Sequence, residues 1–436
     1  MHFTKPTAAS ALNLDKLAYG GLCLLVVALS AGGDGSTLGG LVFANWIAMI
    51  PVCFVALRIL LTKKVRPACP IHFIMLAFSA LVALSLIWTI DPDYTAVRLQ
   101  TYAEMLVFVG LIWELATTQT RIRNLLVSYV LGSGIASLIT IYNYLMGRST
   151  AQFVGAAFDS NRYSVEGVNA DEIGLIIALG IPIALYLVTA QKKQWLTALC
   201  WIQILAGFTA ILLTATRGAM FALAIGVVMM ARPALSRMSG VQRVTGALAC
   251  LALVLCTLYV IPQTSIDRFL SSGTELTEGT LTHRTVIWAA GLQVFREHTF
   301  LGIGAGAYGA SVVKIIDIPY IAHNTFLSVL VELGVVGASL LALLLASMVY
   351  SAFKFPYLEK RIWLALLGTW VVGASSVTWE NRKTTWLLFG LITAQAYVRQ
   401  TREVQLRHHE STPPQRDAEG WELAPEPLSL VPTSNL

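Results

Sequence analysis

The chain has 436 residues, of which 56% are hydrophobic and only 12% charged, and its mean hydropathy is +0.68. Soluble domains carry about one-quarter charged residues, so this composition excludes an ordinary soluble protein and, for most of the chain, disorder. The formal net charge of +6 does not indicate nucleic-acid binding, because the basic residues are spread between apolar blocks.

Those blocks repeat at lengths that cross a bilayer as helix, about 20 residues each. Apolar runs and breakers predict spans over 17–31, 41–62, 71–90, 99–117, 124–146, 171–190, 195–214, 218–231, 244–261, 324–351, 362–379 and 384–399. The expected fold is all-α, a polytopic bundle of about twelve transmembrane spans. The first run is short, and Ala28-Leu29-Ser30 resembles a signal-cleavage site; its removal would leave the sidedness of every later span unchanged.

Placing both termini inside puts two-thirds of the 30 Lys and Arg on the cytoplasmic side, as the positive-inside bias requires. The outer minority is Arg98, Arg148, Arg162, Arg217, Arg268, Arg284, Arg296, Lys314, Arg382 and Lys383. Two outer loops are long, about 147–170 and about 262–323. The second is too long for a mere connection. Within it, THRTVIWAAGLQVFREH from Thr282 has Val286, Ile287, Ala290 and Val294 at helical spacing. It reads as a small helical cap over the outer face. Residues 1–400 form the transmembrane unit, and 401–436, with Pro413, Pro414, Pro425 and Pro427, read as a disordered cytoplasmic tail.

Four groups stand at the outer boundary. Arg162 lies in FDSNRYSVEGVNADEIG before the sixth span, and Arg217 in the tight turn of LLTATRGAM. Arg284 opens the loop helix, and His323 lies where the loop re-enters the membrane. An arginine at that depth costs free energy and usually faces a polar cavity, although one that snorkels to headgroups would look the same. A lone His at a helix start is commonly structural, and Asn324 beside it suits an N-cap. Asn169-Ala170-Asp171-Glu172 reads as a capped helix start with first-turn negative charge. Asp91-Pro92-Asp93 reads as the turn that ends the third span. FLGIGAGAYG has no strand before it and no G-K-[ST] after it, which argues against a nucleotide site. Its glycines permit close backbone approach. Six cysteines, Cys23, Cys53, Cys69, Cys200, Cys250 and Cys256, include no C-x-x-C. They read as small core residues, not a zinc site or disulfide framework.

Taken in order, Arg217-Gly218, His283-Arg284 with Trp288, Gly302-x-Gly304-x-Gly306, Ala322-His323-Asn324 and Glu332-x-Gly334-x-x-Gly337 resemble the O-antigen ligase and polymerase superfamily. Length and the single large loop resemble its ligase (WaaL) branch. The resemblance implies a bacterial inner-membrane glycosyltransferase whose active site faces the periplasm. It implies an undecaprenyl-diphosphate-linked glycan as donor, a sugar hydroxyl of lipid A–core as acceptor, and neither metal nor cofactor. Membrane lipids and other O-antigen assembly proteins are the remaining expected partners. By motif, Arg217 and His323 are carried over as catalytic, with Arg162 on a looser correspondence; Arg162, Arg217, Arg284 and Asn324 are carried over as binding the diphosphate or glycan.

The residue chemistry fits that reaction. Fixed guanidinium donors stabilise a departing diphosphate. A histidine held neutral by neighbouring arginines can take a proton from the attacking hydroxyl, or it can merely orient the acceptor. One inverting displacement follows, since no carboxylate is well placed as a nucleophile. The alternatives are an O-antigen polymerase, a protein O-oligosaccharyltransferase and, from another class, a lipid or glycan transporter. A transporter would be expected to show internal repeats and midplane charges.

Overall fold

In a computed structural model, residues 8–33, 37–38, 41–150, 162–190, 193–236, 240, 243–244 and 284–411 are described. The described chain is an all-helical bundle apart from a two-residue antiparallel pairing of Thr37–Leu38 with Leu41–Val42. The helices are α1 (Ala8–Ala28), α2 (Phe43–Thr62), α3 (Pro70–Leu84), α4 (Pro92–Leu115), α5 (Gln119–Leu145), α6 (Ala170–Ala190), α7 (Gln194–Leu213) and α8 (Arg217–Ser236). They continue with α9 (Arg284–Glu297), α10 (Tyr308–Ile316), α11 (Thr325–Phe353), α12 (Tyr357–Ala374) and α13 (Lys383–Ser411).

Eleven of the twelve expected spans have a helix. The ninth, 244–261, lies almost wholly outside the described residues, as do 262–283 of the large loop and 412–436. Among the described residues, nine helices are long and apolar enough to cross a membrane: α1 to α8, with α3 extended to Ile87, and α11. The protein is a multi-pass membrane protein. Helix α12 is more polar because Glu359, Lys360 and Arg361 stand in its first turns, and α13 runs on into the polar QTREVQLRHHES. Residues 401–411, expected as tail, are therefore helical.

The α4 start also differs from expectation. Asp91 does not end the third span; its carboxylate accepts the Tyr94 amide and caps α4, with Pro92 in the first turn. The third span stops earlier, in a 3-10 turn over Ser85–Ile87. Of the cysteines, Cys200 is buried as expected, but Cys53 is exposed, and the four described thiols are unpaired.

Tryptophans fill the interior. Trp363, Trp370, Trp379 and Trp386 are fully buried, and three of them place the indole N–H on an acceptor: Gln395 Oε1 at 3.0 Å, Thr385 Oγ1 at 2.8 Å and the Glu380 carbonyl at 2.8 Å respectively for Trp363, Trp370 and Trp386. A buried indole needs such a partner. At the opposite end from the long loops, Arg58 pairs with Glu114, Arg121 with Asp15, and Arg58 also lies 3.4 Å from Asp15, which ties α1, α2, α4 and α5 together.

The described part of the large loop is a compact cap. Ile287, Ala290 and Val294 of α9 bury against Ile303, Tyr308 and Val312. Val286, expected on the same face, is exposed. The glycine-rich stretch clasps this cap onto the bundle. Its amides are used by α11: Ile303 N–H donates to the Val331 carbonyl at 3.2 Å, Gly304 N–H to the Glu332 carbonyl at 2.9 Å, and Gly306 N–H to the Glu332 carboxylate at 2.7 Å. It is not a phosphate cradle. Gly302 lies at φ +67, and a Cβ there would sit 2.4 Å from the Glu332 backbone. On the partner side Gly334, at φ +64, kinks α11 and would meet the Phe300 carbonyl.

Beside this clasp, Glu332 and Glu380 are buried with Arg98 near both. Burial, reinforced by the Glu332 charge, pushes the Glu380 carboxyl up to about 7. Its Oε2 has no hydrogen-bond partner among the described residues.

Two outcomes follow. Gly302→Ala should lower the thermal midpoint in detergent by an amount reflecting at least about 1–3 kcal/mol of backbone strain, whereas Gly20→Ala, with nothing within 4 Å of its added carbon, should not. Because the folded-state value of Glu380 is raised above an ordinary 4.5, its contribution to stability is present at acid pH and lost as pH rises to about 7. Glu380→Gln should therefore gain stability relative to the wild type at pH 8 and not at pH 5, as read by paired melting curves; an equal effect at both would contradict the charge argument.

Candidate active site

Four segments meet at the end of the bundle that carries the long loops. The first is the start of α6, where Asn169 Oδ1 accepts the Asp171 amide at 2.8 Å and sets the helix N-terminus. The second is the turn 214–216 between α7 and α8, sharp enough to hold Ala215 at φ +49. The third is the first residue of α9, and the fourth is the 322–325 re-entry, where His323 itself lies at φ +46. Positive φ at non-glycine residues costs free energy and often marks a site that surrounding structure holds in place.

The restraints on these segments are visible. Trp288 of the H-R-x-x-x-W motif donates its indole N–H to the Ala322 carbonyl at 2.8 Å, next to His323. On the other side Asn324 Oδ1 accepts the Leu327 amide at 3.1 Å and caps α11. Thr325 Oγ1 donates to the Val377 carbonyl at 2.9 Å and accepts the Trp379 amide at 2.8 Å. Asn324 therefore spends its carbonyl oxygen on structure.

The hub of the site is Asp171. One carboxylate oxygen pairs with Arg162 and also accepts from Thr216 Oγ1 at 3.1 Å; the other lies 3.6 Å from the Arg284 guanidinium. Arg162 is further fixed by donating Nε–H to the Thr214 carbonyl at 2.9 Å and Nη2–H to Thr216 Oγ1 at 2.9 Å. Arg217 opens α8 and lies close enough to Arg284 to disfavour its charge. Among the described residues, no hydrogen bond or ion pair holds the Arg217 guanidinium. Next to the hub, Arg382 pairs with Glu172.

The electrostatics follow from this geometry. Burial first, and then the Arg162 and Arg217 charges, pull Arg284 below the usual guanidinium value, while Asp171 opposes them. His323 is lowered chiefly by burial, then by Arg284 and Arg162, with Asp171 again opposing. A histidine lowered in this way is neutral at physiological pH and able to accept a proton. Among the described residues, no group of three His, Cys, Asp or Glu could hold a metal ion.

The structure brings Arg162, Arg217, Arg284 and His323 into one electrostatic neighbourhood. Sequence reasoning missed Asp171 as their common partner, because an acidic residue in a first helical turn is adequately explained by the helix dipole. The available signal was its position nine residues after Arg162, at the same membrane boundary.

Residues 201–342 match the family model described as O-antigen ligase. The match is confined to that segment, which is similar to the O-antigen ligase family. It contains Arg217, Arg284, His323 and the glycine clasp, while Arg162 and Asp171 precede it. The chain is also similar to the exopolysaccharide production protein ExoQ of Rhizobium meliloti (strain 1021), at 25% identity over 387 residues, covering 82% of this chain and 80% of that protein. These similarities support a membrane polysaccharide ligase or polymerase.

The electrostatic arrangement predicts a direction for pH dependence. Asp171 raises the His323 value, so Asp171→Asn should move the acid limb of any His323-dependent activity to still lower pH. A pH–rate profile of wild type and variant checks this; a limb displaced upward would contradict the assignment.

Proposed function

We propose that this protein transfers a glycan from undecaprenyl diphosphate to a sugar hydroxyl at the periplasmic face of the bacterial inner membrane. The observation that carries the reading is the cationic cluster: Arg162 and Arg284 share one carboxylate, Arg217 lies close to Arg284, and a lowered histidine stands beside them. Such a cluster suits a multiply charged anion that departs from carbon.

In the proposed step the acceptor hydroxyl attacks the anomeric carbon, and the bond from that carbon to the phosphate oxygen breaks. The proton of the hydroxyl passes to neutral His323, and the electron pair leaves with the diphosphate. Arg217 and Arg284 receive the charge that develops on its oxygens, and Arg162 is the third guanidinium of the pocket. Arginine serves here where lysine would not, since its planar donors stay charged in a partly dry site. The reaction needs no metal or cofactor to balance. Asn324 is assigned to glycan contact through the side-chain amide nitrogen that its cap leaves over. One displacement inverts the anomeric centre.

For the acceptor, lipid A–core is the first reading, which makes the protein an O-antigen ligase and gives it other O-antigen assembly proteins as neighbours. The similarity to a protein named for exopolysaccharide production favours a second reading, in which the acceptor is another carrier-linked glycan and the reaction is polymerisation.

His323→Ala and Arg217→Ala should each reduce transfer by about 10²–10³-fold, the scale for loss of one group that stabilises developing charge. Arg217→Lys should recover little of it. Lipopolysaccharide gels of complemented deletion strains separate the acceptors: bare core with accumulated carrier-linked glycan indicates ligation, and a single repeat on core indicates polymerisation. A gel identical to that of the wild-type complement would reject the site.

A further inference from the structure

Helices α2 and α4 present facing stripes that line a cavity of about 570 Å³. On α2 the stripe runs from Asn45 through Ala48 and Met49 to Val52; on α4 it runs from Gln100 and Glu104 through Val107 to Leu111. The spacings of three and four residues make each stripe one helix face. Leu25 of α1 closes the back, and Lys383 closes the end nearest the candidate site.

The walls change character along their length. At the site end Lys383 Nζ lies 3.2 Å from Glu104 Oε2 and donates to Asn45 Oδ1 at 3.2 Å. Beyond that polar mouth the lining is aliphatic and aromatic, and Met49, Val52 and Val107 are 55%, 37% and 51% exposed. Within apolar spans such exposure faces lipid, so the groove opens sideways to the bilayer as well as upward to the mouth. The mouth adjoins the candidate site in sequence and in contact, since Arg382 beside Lys383 pairs with Glu172 beside Asp171.

We propose that the α2–α4 groove seats the single isoprenoid tail of the lipid-linked donor, with its anionic head directed past Lys383 to the arginines. This rests on the transfer reading above. Two observations select that occupant. Arg162, Arg217, Arg284, Arg382 and Lys383 outnumber Asp171, Glu172 and Glu104 by two charges, which suits an anionic head. A slot walled by one face of each of two helices suits one chain, whereas membrane phospholipids bring two.

The test uses the full-length protein in nanodiscs, with p-benzoylphenylalanine replacing Val52, Val107 or, as a lipid-facing control on α8, Val228. The probe is tritiated undecaprenyl phosphate. Irradiation should label the variants at 52 and 107 at least tenfold more than the one at 228. Excess unlabelled undecaprenyl phosphate should compete, and phosphatidylglycerol should not. Ala48→Trp or Ala103→Trp, filling the groove from opposite walls, should each abolish labelling at both positions.

Equal labelling at 228, or equal competition by phosphatidylglycerol, would make the groove an ordinary lipid contact and overturn the proposal. Persistence of labelling in both tryptophan variants would also overturn it. Labelling needs no turnover, so the two readings fail separately. Specific labelling without glycan transfer keeps the groove and rejects the reaction; transfer without labelling at 52 and 107 rejects only the groove.

Discussion

The site depends on one shared carboxylate. Three guanidinium groups brought together at a membrane boundary repel one another, and each loses hydration as it is buried. Asp171 makes the gathering tolerable by pairing with Arg162 through one oxygen and approaching Arg284 with the other. It stands in the first turn of α6, where the helix dipole favours a negative charge. The N-terminus of α6 thus fixes the carboxylate, and the carboxylate gathers arginines from before α6 and from the start of α9. Thr216 joins the same oxygen and so ties in the strained turn that launches α8 and Arg217.

That arrangement requires the loop to deliver Arg284 and His323 reproducibly from a segment distant in sequence from α6. The glycine clasp supplies the positioning. Three approaches of loop amides to α11 need backbone contact so close that Gly302 and Gly334 have no room for a side chain. Trp288 and Thr325 then hold the His323 segment from either side. The motifs surrounding His323 are therefore mostly scaffolding, and their chemistry is hydrogen bonding within the protein. Arg217 and His323 are the exceptions, because among the described residues no hydrogen bond or ion pair holds either side chain.

Much of this was legible in the sequence, for physical reasons. Span lengths follow from bilayer thickness, and the apolar runs that became α1 to α8 and α11 are long enough to register. The arginines stood out because charge at that depth is costly. Errors arose where local rules admit two answers. Asp91-Pro92 can end one helix or begin the next, and only the tertiary contact of the third span with the glycine loop decides it: the Ile90 amide donates to the Ile303 carbonyl at 3.0 Å. Val286 shares helical spacing with Ile287, yet it falls on the outer side of α9. Asp171 was hidden by a sufficient local explanation. Pairings between residues far apart in sequence, such as Asp171 with Arg284, leave no trace in periodicity.

The surplus of charge around Asp171 bears on which ligand the pocket suits. Three arginines against one carboxylate leave two positive charges uncompensated, and Arg217 has no partner of its own among the described residues. A monophosphate diester brings a single negative charge and would leave the pocket cationic. A glycan-linked diphosphate diester brings two, which balances the pocket in the ground state. Cleavage at the anomeric carbon then adds a further negative charge to the departing diphosphate. In a partly desolvated site that added charge interacts more strongly with fixed guanidinium groups than it would in water. In the proposed reaction the cluster would therefore bind the charge-separated transition state better than the intact donor, and differential binding of that kind is what accelerates a reaction.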